Sequence, residues 1–221
     1  MTKEEDPAGS SLDSWSFDIG HSLVIGPWAL VIRMRTHLRI VAGSLKGRRL
    51  TYTVDPHLRP TPDVVREALF SILGDAVPGR PFFDLFAGTG AVGMEALSRG
   101  ATPVSLVERD AHIAAAIIHH LQTFGVADQA TVHRGDVYRW IARWQAPNEP
   151  VTIFLGPPFP DFERRPEALS EALADLQQKV APGSVLVLQS DKSWLAQLLP
   201  DPEHWEHRQY GRNRLSIWVA P

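Results

Sequence analysis

Between residues 81 and 191 the chain alternates short, continuous apolar runs with segments of helical period. PFFDLFAG (81–88), PVSLVE (103–108), ATVHRG (130–135), VTIFLG (151–156) and SVLVLQS (184–190) read as buried strands. GAVGMEALSRG (90–100), AHIAAAIIHHLQTFG (111–125), a segment with Val137, Ile141 and Trp144, and Glu167–Val180 read as helices between them. Apolar strands alternating with helices predict a parallel sheet covered on both faces. HWEHRQYG (204–211) and RLSIWVA (214–220) predict a terminal antiparallel pair. Upstream, Leu38–Gly43 and Arg48–Thr53 predict a hairpin around Ser44–Gly47. Thr61 then reads as a helix N-cap, with Pro62 as first helical residue and Val64, Val65, Ala68, Leu69, Ile72 and Leu73 as the buried face. Residues 159–165 (FPDFERR) read as a loop that closes over a substrate or merely connects two elements. Residues 1–33 show no period and read as a loosely ordered extension; Met34 is an alternative start.

Composition narrows the classes. The chain has 221 residues, 44% hydrophobic and 21% charged, enough for a substantial core. Cysteine is absent, which excludes disulfides, thiolate metal sites and a cysteine nucleophile. The nine histidines form no metal-ligand spacing, and no metal is expected. The longest apolar stretch, His21–Met34, is broken by Gly26-Pro27 and falls short of the roughly 18 residues a membrane helix needs. The acidic start MTKEED is unlike a signal peptide, so a cytoplasmic, membrane-free protein is expected.

The net charge of −3 hides an asymmetry. Residues 33–49 carry Arg33, Arg35, Arg39, Lys46, Arg48 and Arg49 with no acid. Such a block meets phosphate or is simply a solvated face.

The candidate chemistry sits at the strand ends. Asp84-Leu-Phe-Ala-Gly88-Thr89-Gly90-Ala-Val-Gly93 marks a strand-to-helix turn where glycines admit a ligand close to the backbone. GTGAVG satisfies G-x-G-x-x-G, which also fits a nicotinamide-dependent oxidoreductase. Asp84, inside the strand end, would repel a pyrophosphate but suits an amino-bearing ligand. Glu108 ends the second strand, where an acid binds ribose hydroxyls. Asp136 follows the third, where a carboxylate accepts from an adenine amine. Three strand-terminal acids without a phosphate-binding lysine fit S-adenosylmethionine better than NAD or ATP; singly, each acid could be only a helix cap.

The fourth strand ends Gly156-Pro157-Pro158-Phe159. Enzymes that methylate exocyclic or amide nitrogens carry Asp or Asn, then Pro-Pro, then an aromatic residue here. The amine is a poor nucleophile, and oxygens at this turn accept its hydrogens and aim its lone pair. The aromatic ring stacks on the base, worth about 1–3 kcal/mol. Gly156 lacks the side-chain oxygen. The carbonyls of Gly156 and Pro157 remain.

RIVAG (39–43), KGRRL (46–50), RPTPDVVREALFSIL (59–73), FDLFAGTGAVGMEALSRGA (83–101), VERD (107–110), GPPF (156–159) and YGRNRLSIW (210–218) together resemble the bacterial RsmD-type methyltransferases. The resemblance covers about residues 34–220. It implies a class I S-adenosylmethionine-dependent methyltransferase: an α/β, Rossmann-like seven-stranded sheet with an antiparallel last strand and a small N-terminal β-hairpin. The expected division is 1–33 as an extension that the family lacks, 34–58 as basic hairpin and 59–221 as methyltransferase domain. The implied reaction is N2-methylation of a guanine in 16S rRNA, in the small ribosomal subunit or an assembly intermediate, by a monomeric enzyme. Cofactor contacts are expected from Asp84, Phe86, Gly88, Thr89, Gly90, Glu108, Arg109, Asp136, Val137 and Thr61. Gly156, Pro157, Pro158 and Phe159 would form the catalytic base site. Arg39, Lys46, Arg48, Arg49, Arg59 and Arg66 would meet RNA. Gly156 departs from the family's acid, which raises two alternatives: a catalytically impaired RNA-binding or assembly protein on the same fold, or a methyltransferase for another nitrogen acceptor.

Overall fold

A computed structural model of the chain describes residues 35–53, 60–192, 194 and 198–221. The extension at 1–33 and Arg59 lie outside these residues. Strands β1 (Arg35–Arg39) and β2 (Arg49–Thr53) form an antiparallel hairpin. Helix α1 (Asp63–Leu73) follows, then β3 (Phe82–Leu85), α2 (Ala91–Ser98), β4 (Val104–Glu108), α3 (Ala111–Phe124), β5 (Ala130–Arg134) and α4 (Val137–Arg143). The chain continues through β6 (Thr152–Leu155), α5 (Phe159–Arg164), α6 (Pro166–Lys179), β7 (Val185–Asp191), β8 (Glu206–Tyr210) and β9 (Asn213–Val219).

The seven-stranded sheet has the order β5-β4-β3-β6-β7-β9-β8. β3 to β7 pair in parallel, and β9 enters antiparallel beside β7. Strand alternation sends Phe82, Phe154, Val185 and Val187 into one core with residues of α1, α2 and α3. Phe83, Leu155, Leu186 and Leu188 enter a second core with residues of α4 and α6. The seven-stranded order with its antiparallel final strand is the class I methyltransferase arrangement expected from the sequence.

Four local expectations need correction. The first hairpin strand spans Arg35–Arg39, not Leu38–Gly43, because Val41 and Ala42 donate their amides to the Glu95 carboxylate at 2.8 and 3.0 Å instead of to a strand. Pro62, not Thr61, is the N-cap of α1, and the Thr61 hydroxyl donates to Gln189 at 2.8 Å. Val64 is exposed while Phe70 is buried, a shift of the apolar face by a fraction of a turn. Residues 159–164 are helical; the Tyr138 hydroxyl donates to Asp161 at 2.9 Å and ties that turn down.

The hairpin is packed into the first core through Ile40, Leu45 and Leu50. Its loop is pinned to α2: Ser44 N donates to the Ser98 carbonyl, and Ser98 Oγ accepts from Leu45 N and donates to the Ala42 carbonyl. Gly43 is needed here, since a Cβ would fall 1.7 Å from the Ser98 carbonyl oxygen at a φ of +81°.

Candidate functional site

The parallel strands deliver their acids to one end. Asp84, Glu108 and Asp136 end or follow β3, β4 and β5, which are adjacent in the sheet. Thr61, Asp84, Phe86, Gly88, Thr89, Phe154 and Gly156 line one cleft there. That cleft encloses only ≈ 40 Å³. A roomier groove of ≈ 510 Å³ lies at the other end of the sheet, against Gln177, Trp218 and Pro221, far from the strand-terminal acids. Ligands of open α/β sheets bind beyond the carboxyl ends of the strands, so the smaller cleft is the candidate site.

Asp84 is 1% exposed. Its Oδ2 accepts from Gly93 N at 2.8 Å, and Oδ1 is buried without a hydrogen-bond partner. Burial pushes its carboxyl from the ordinary 3.8 up to about 7, opposed by the Gly93 amide and assisted by nearby Glu108. Gly93 is required by close approach: a Cβ there would meet Leu106 Cδ2 at 2.7 Å and Asp84 Oδ2 at 3.1 Å. The loop between turns through positive φ at Phe86 (65°), Gly88 (53°) and Gly90 (74°). Glu108 holds that loop, accepting from Gly88 N at 2.9 Å with Oε2 and from Asp110 N at 2.7 Å with Oε1.

Asp136 caps α4, accepting from Arg139 N at 3.1 Å, and faces Arg165 at 3.4 Å. Val137 is buried beside it, and Arg109 is exposed after β4. Tyr138 extends the wall: its ring meets Phe86 edge-on at 5.6 Å, and the Arg165 guanidinium lies 4.1 Å over its face. Burial and the bond to Asp161 push the Tyr138 phenol upward. Tyr138 was not singled out in the sequence, and Asp161 and Arg165 were read there only as part of the 159–165 connection.

Across the cleft, Gly156 N donates to the Leu85 carbonyl at 3.1 Å, fixing the turn beside β3. Pro157 is buried, Pro158 is exposed, and Phe159 is half-buried against the second core. A Cβ at Gly156 would press on the Phe154 ring at 3.1 Å, so a side chain there requires that ring to give by a few tenths of an ångström.

Arg39, Lys46, Arg48 and Arg49 are exposed on the hairpin, with Arg48 5.6 Å over the Phe124 ring. Arg66 is not available to RNA. It is 0% exposed and donates to the carbonyls of Arg39 at 2.7 Å and Thr61 at 3.2 Å, beside Asp63 and Glu95. A buried guanidinium needs such partners. Glu95 also accepts from Arg99 Nε at 2.9 Å. Its signal in the sequence was a lone acid in AVGMEALS, a helix buried on every side.

The profile of the family described as conserved hypothetical protein 95 matches residues 38–219, most of the chain and all of the site. The chain belongs to this RsmD-type family. The putative rRNA methyltransferase YlbH of Bacillus subtilis is 30% identical over 182 residues, 82% of this chain and 98% of that protein. The ribosomal RNA small subunit methyltransferase D of Haemophilus influenzae is 32% identical, over 76% of this chain and 84% of its own length. Among solved structures, the putative methyltransferase yhhF from Escherichia coli superposes with a TM-score of 0.68 at 30% identity, over 84% of this chain and 98% of its own. The motif resemblance and the seven-stranded class I fold thus agree with membership of the RsmD-type family.

Proposed function

We propose that this chain is an S-adenosylmethionine-dependent methyltransferase of ribosomal RNA, and that its acceptor is the exocyclic N2 amine of a guanine in 16S rRNA. The observation that carries the reading is the row of acids at the ends of the adjacent strands β3, β4 and β5, of which Asp84 lines the same cleft as Gly156.

The residues fit the cofactor. The unpartnered, buried Oδ1 of Asp84 is an acceptor waiting for an amino-bearing ligand. Glu108 would take ribose hydroxyls, and Asp136 an adenine amine, with Phe86 and Tyr138 as the aromatic wall. Thr61, Gly88, Thr89 and Gly90 line the loop, with Arg109 and Val137 at the flanking strand ends. S-adenosylmethionine supplies a methyl group on a sulfonium, so that nitrogen–carbon bond formation breaks the carbon–sulfur bond and one amine proton passes to solvent.

The chain's own part is to orient the amine. The carbonyls of Gly156 and Pro157 accept its hydrogens, Pro157 and Pro158 stiffen the turn, and Phe159 offers a stacking face. Rate enhancement then comes from proximity and fixed dipoles. The base leaves its helical stack to reach the cleft. Arg39 and Arg49 face each other across the hairpin, a like-charge pair that costs stability unless an anion lies between. With Lys46 and Arg48 they form the surface assigned to RNA phosphates. The partner is the small subunit or its cytoplasmic assembly intermediate.

Incubation with labelled S-adenosylmethionine and small subunits lacking the guanine methyl group tests this directly. Label on guanine N2 is expected. Label elsewhere on RNA redirects the acceptor, and cofactor binding without transfer supports the second reading, a binding or assembly protein on this fold. Gly156 is what favours that reading, because one lost acceptor costs about 10²–10³ in rate.

A further inference from the structure

We propose that the side-chain carboxamide of Gln189 supplies the acceptor that Gly156 lacks, its Oε1 taking one hydrogen of the amine to be methylated. The inference rests on the amine-methylating reading above and names one more residue of that site.

Position fixes the candidate. β6 and β7 are paired in parallel with Leu155 opposite Leu188. The next residue on each strand path is Gly156 on one and Gln189 on the other. Phe154 and Val187 enter the first core, whereas Leu155 and Leu188 enter the second. Alternation therefore turns positions 156 and 189 to the first-core face, the face of Asp84. A side chain at 156 and the side chain of Gln189 are neighbours on that face.

Hydrogen bonding fixes the orientation. Gln189 Nε2 donates to Asn213 Oδ1 at 3.0 Å, which directs the amide nitrogen toward β9. Oε1 accepts from the Thr61 hydroxyl at 2.8 Å. Thr61 lines the cleft together with Gly156 and Asp84. A carboxamide oxygen has two lone pairs, and Thr61 engages one. The second is left to accept an N–H, as a carboxylate at 156 would. The neutral amide polarises the amine without taking its proton, which leaves for solvent.

The rival role is architectural, with Gln189 only tying the start of α1 to β7 and β9. Substitutions in the full-length protein separate the two roles. Gln189→Met keeps the side chain's length and removes the acceptor; Gln189→Ala removes both. Methyl transfer to undermethylated small subunits is measured with cofactor affinity, RNA affinity and thermal midpoint. Gln189→Met is expected to lower kcat about 10²-fold. Both affinities should stay within about twofold, as for a group engaged mainly in the transition state. Gly156→Asp should restore at least tenfold of the loss in the Gln189→Met background and raise kcat much less in the unsubstituted protein, the non-additivity of two groups doing one job.

Three results overturn the proposal. One is a Gln189→Met protein with unchanged kcat. Another is a loss confined to thermal midpoint or affinity that Gly156→Asp does not repair. The third is an unsubstituted protein that binds cofactor and RNA but transfers only after Gly156→Asp. That last result leaves the amine-acceptor reading standing. If no transfer occurs even with Asp at 156, the amine-acceptor reading itself falls.

Discussion

On the β5-β4-β3 side of the cleft the polar chemistry is carried by carboxylates, each already in the grip of backbone amides. Asp84 accepts from Gly93, Glu108 from Gly88 and Asp110, and Asp136 from Arg139. On the β6-β7 side the turn at 156–158 carries no carboxylate. The groups proposed to act there are the carbonyls of Gly156 and Pro157 and the carboxamide of Gln189, with the one carboxylate of β7, Asp191, two residues farther along the strand. On the proposed reading the two sides face different partners. A cationic, hydroxyl-rich cofactor rewards fixed negative charge, whereas a neutral aromatic amine needs only acceptors in the right direction. The first side would then govern occupancy of the site, and the second how fast an occupied site reacts.

Substitution of Glu95 tests how far the charged side depends on its support. Glu95→Ala would strip Val41, Ala42 and Arg99 of their acceptor and leave Arg66 buried with less countercharge. A loss of about 3–5 kcal/mol is expected in denaturant unfolding. A loss below about 1 kcal/mol would show that the hairpin anchor is unimportant.

Asp84→Asn should separate the two sides next. Cofactor binding is expected to weaken by about 10²-fold or more, the scale of a lost buried charge-assisted bond. RNA affinity should not move, and a parallel fall in it would break the comparison. The same variant reports on pH. The folded-state value of Asp84, about 7 against an ordinary 3.8, means the empty protein holds an extra proton in between. Its stability contribution is full below pH 4, declines as pH rises toward 7, and stays lost above, a total on the order of 4 kcal/mol. Asn carries no such penalty. Asp84→Asn should therefore unfold at higher denaturant than the parent at pH 8, with the difference shrinking as pH falls toward 4.

Arg39→Ala with Arg49→Ala addresses the hairpin. RNA affinity should fall with little dependence on sequence, and the slope of log affinity against log salt should drop by about 1 for each phosphate no longer neutralised. Cofactor affinity should be unchanged. The smallest effect is expected from His120→Ala, which removes the acceptor of Thr51 N at 3.1 Å. A destabilisation of about 0.5–1.5 kcal/mol in thermal unfolding is the expected scale.

The strand–helix alternation and the strand-terminal acids were legible because both are local. Five apolar runs carry the sheet, and each acid sits within a few residues of its own turn. What escaped depends on interactions between distant segments. Arg66 reads as a surface cation on an amphipathic helix, yet it is enclosed by carbonyls of Arg39 and Thr61 and by Glu95. Residues 40–42 look like strand, but the amides of Val41 and Ala42 turn to a carboxylate more than fifty positions away. The six-residue helix α5, with Pro160 inside its first turn, is too short and polar to show a period. Gln189 lies unremarked within the apolar run SVLVLQS. Only the neighbouring turn at Gly156 gives its amide oxygen meaning.

Helix α2 is eight residues long, wholly buried, and bonded at both ends to other parts of the chain. Near its start the Gly93 amide is held by Asp84; near its finish Glu95 and Ser98 hold the amides of Val41, Ala42, Ser44 and Leu45. These protons cannot meet solvent without releasing the helix or its partners. In deuterium exchange they should behave as one cooperative opening unit, so the hairpin's amides would keep time for the cofactor loop at the other end of the helix.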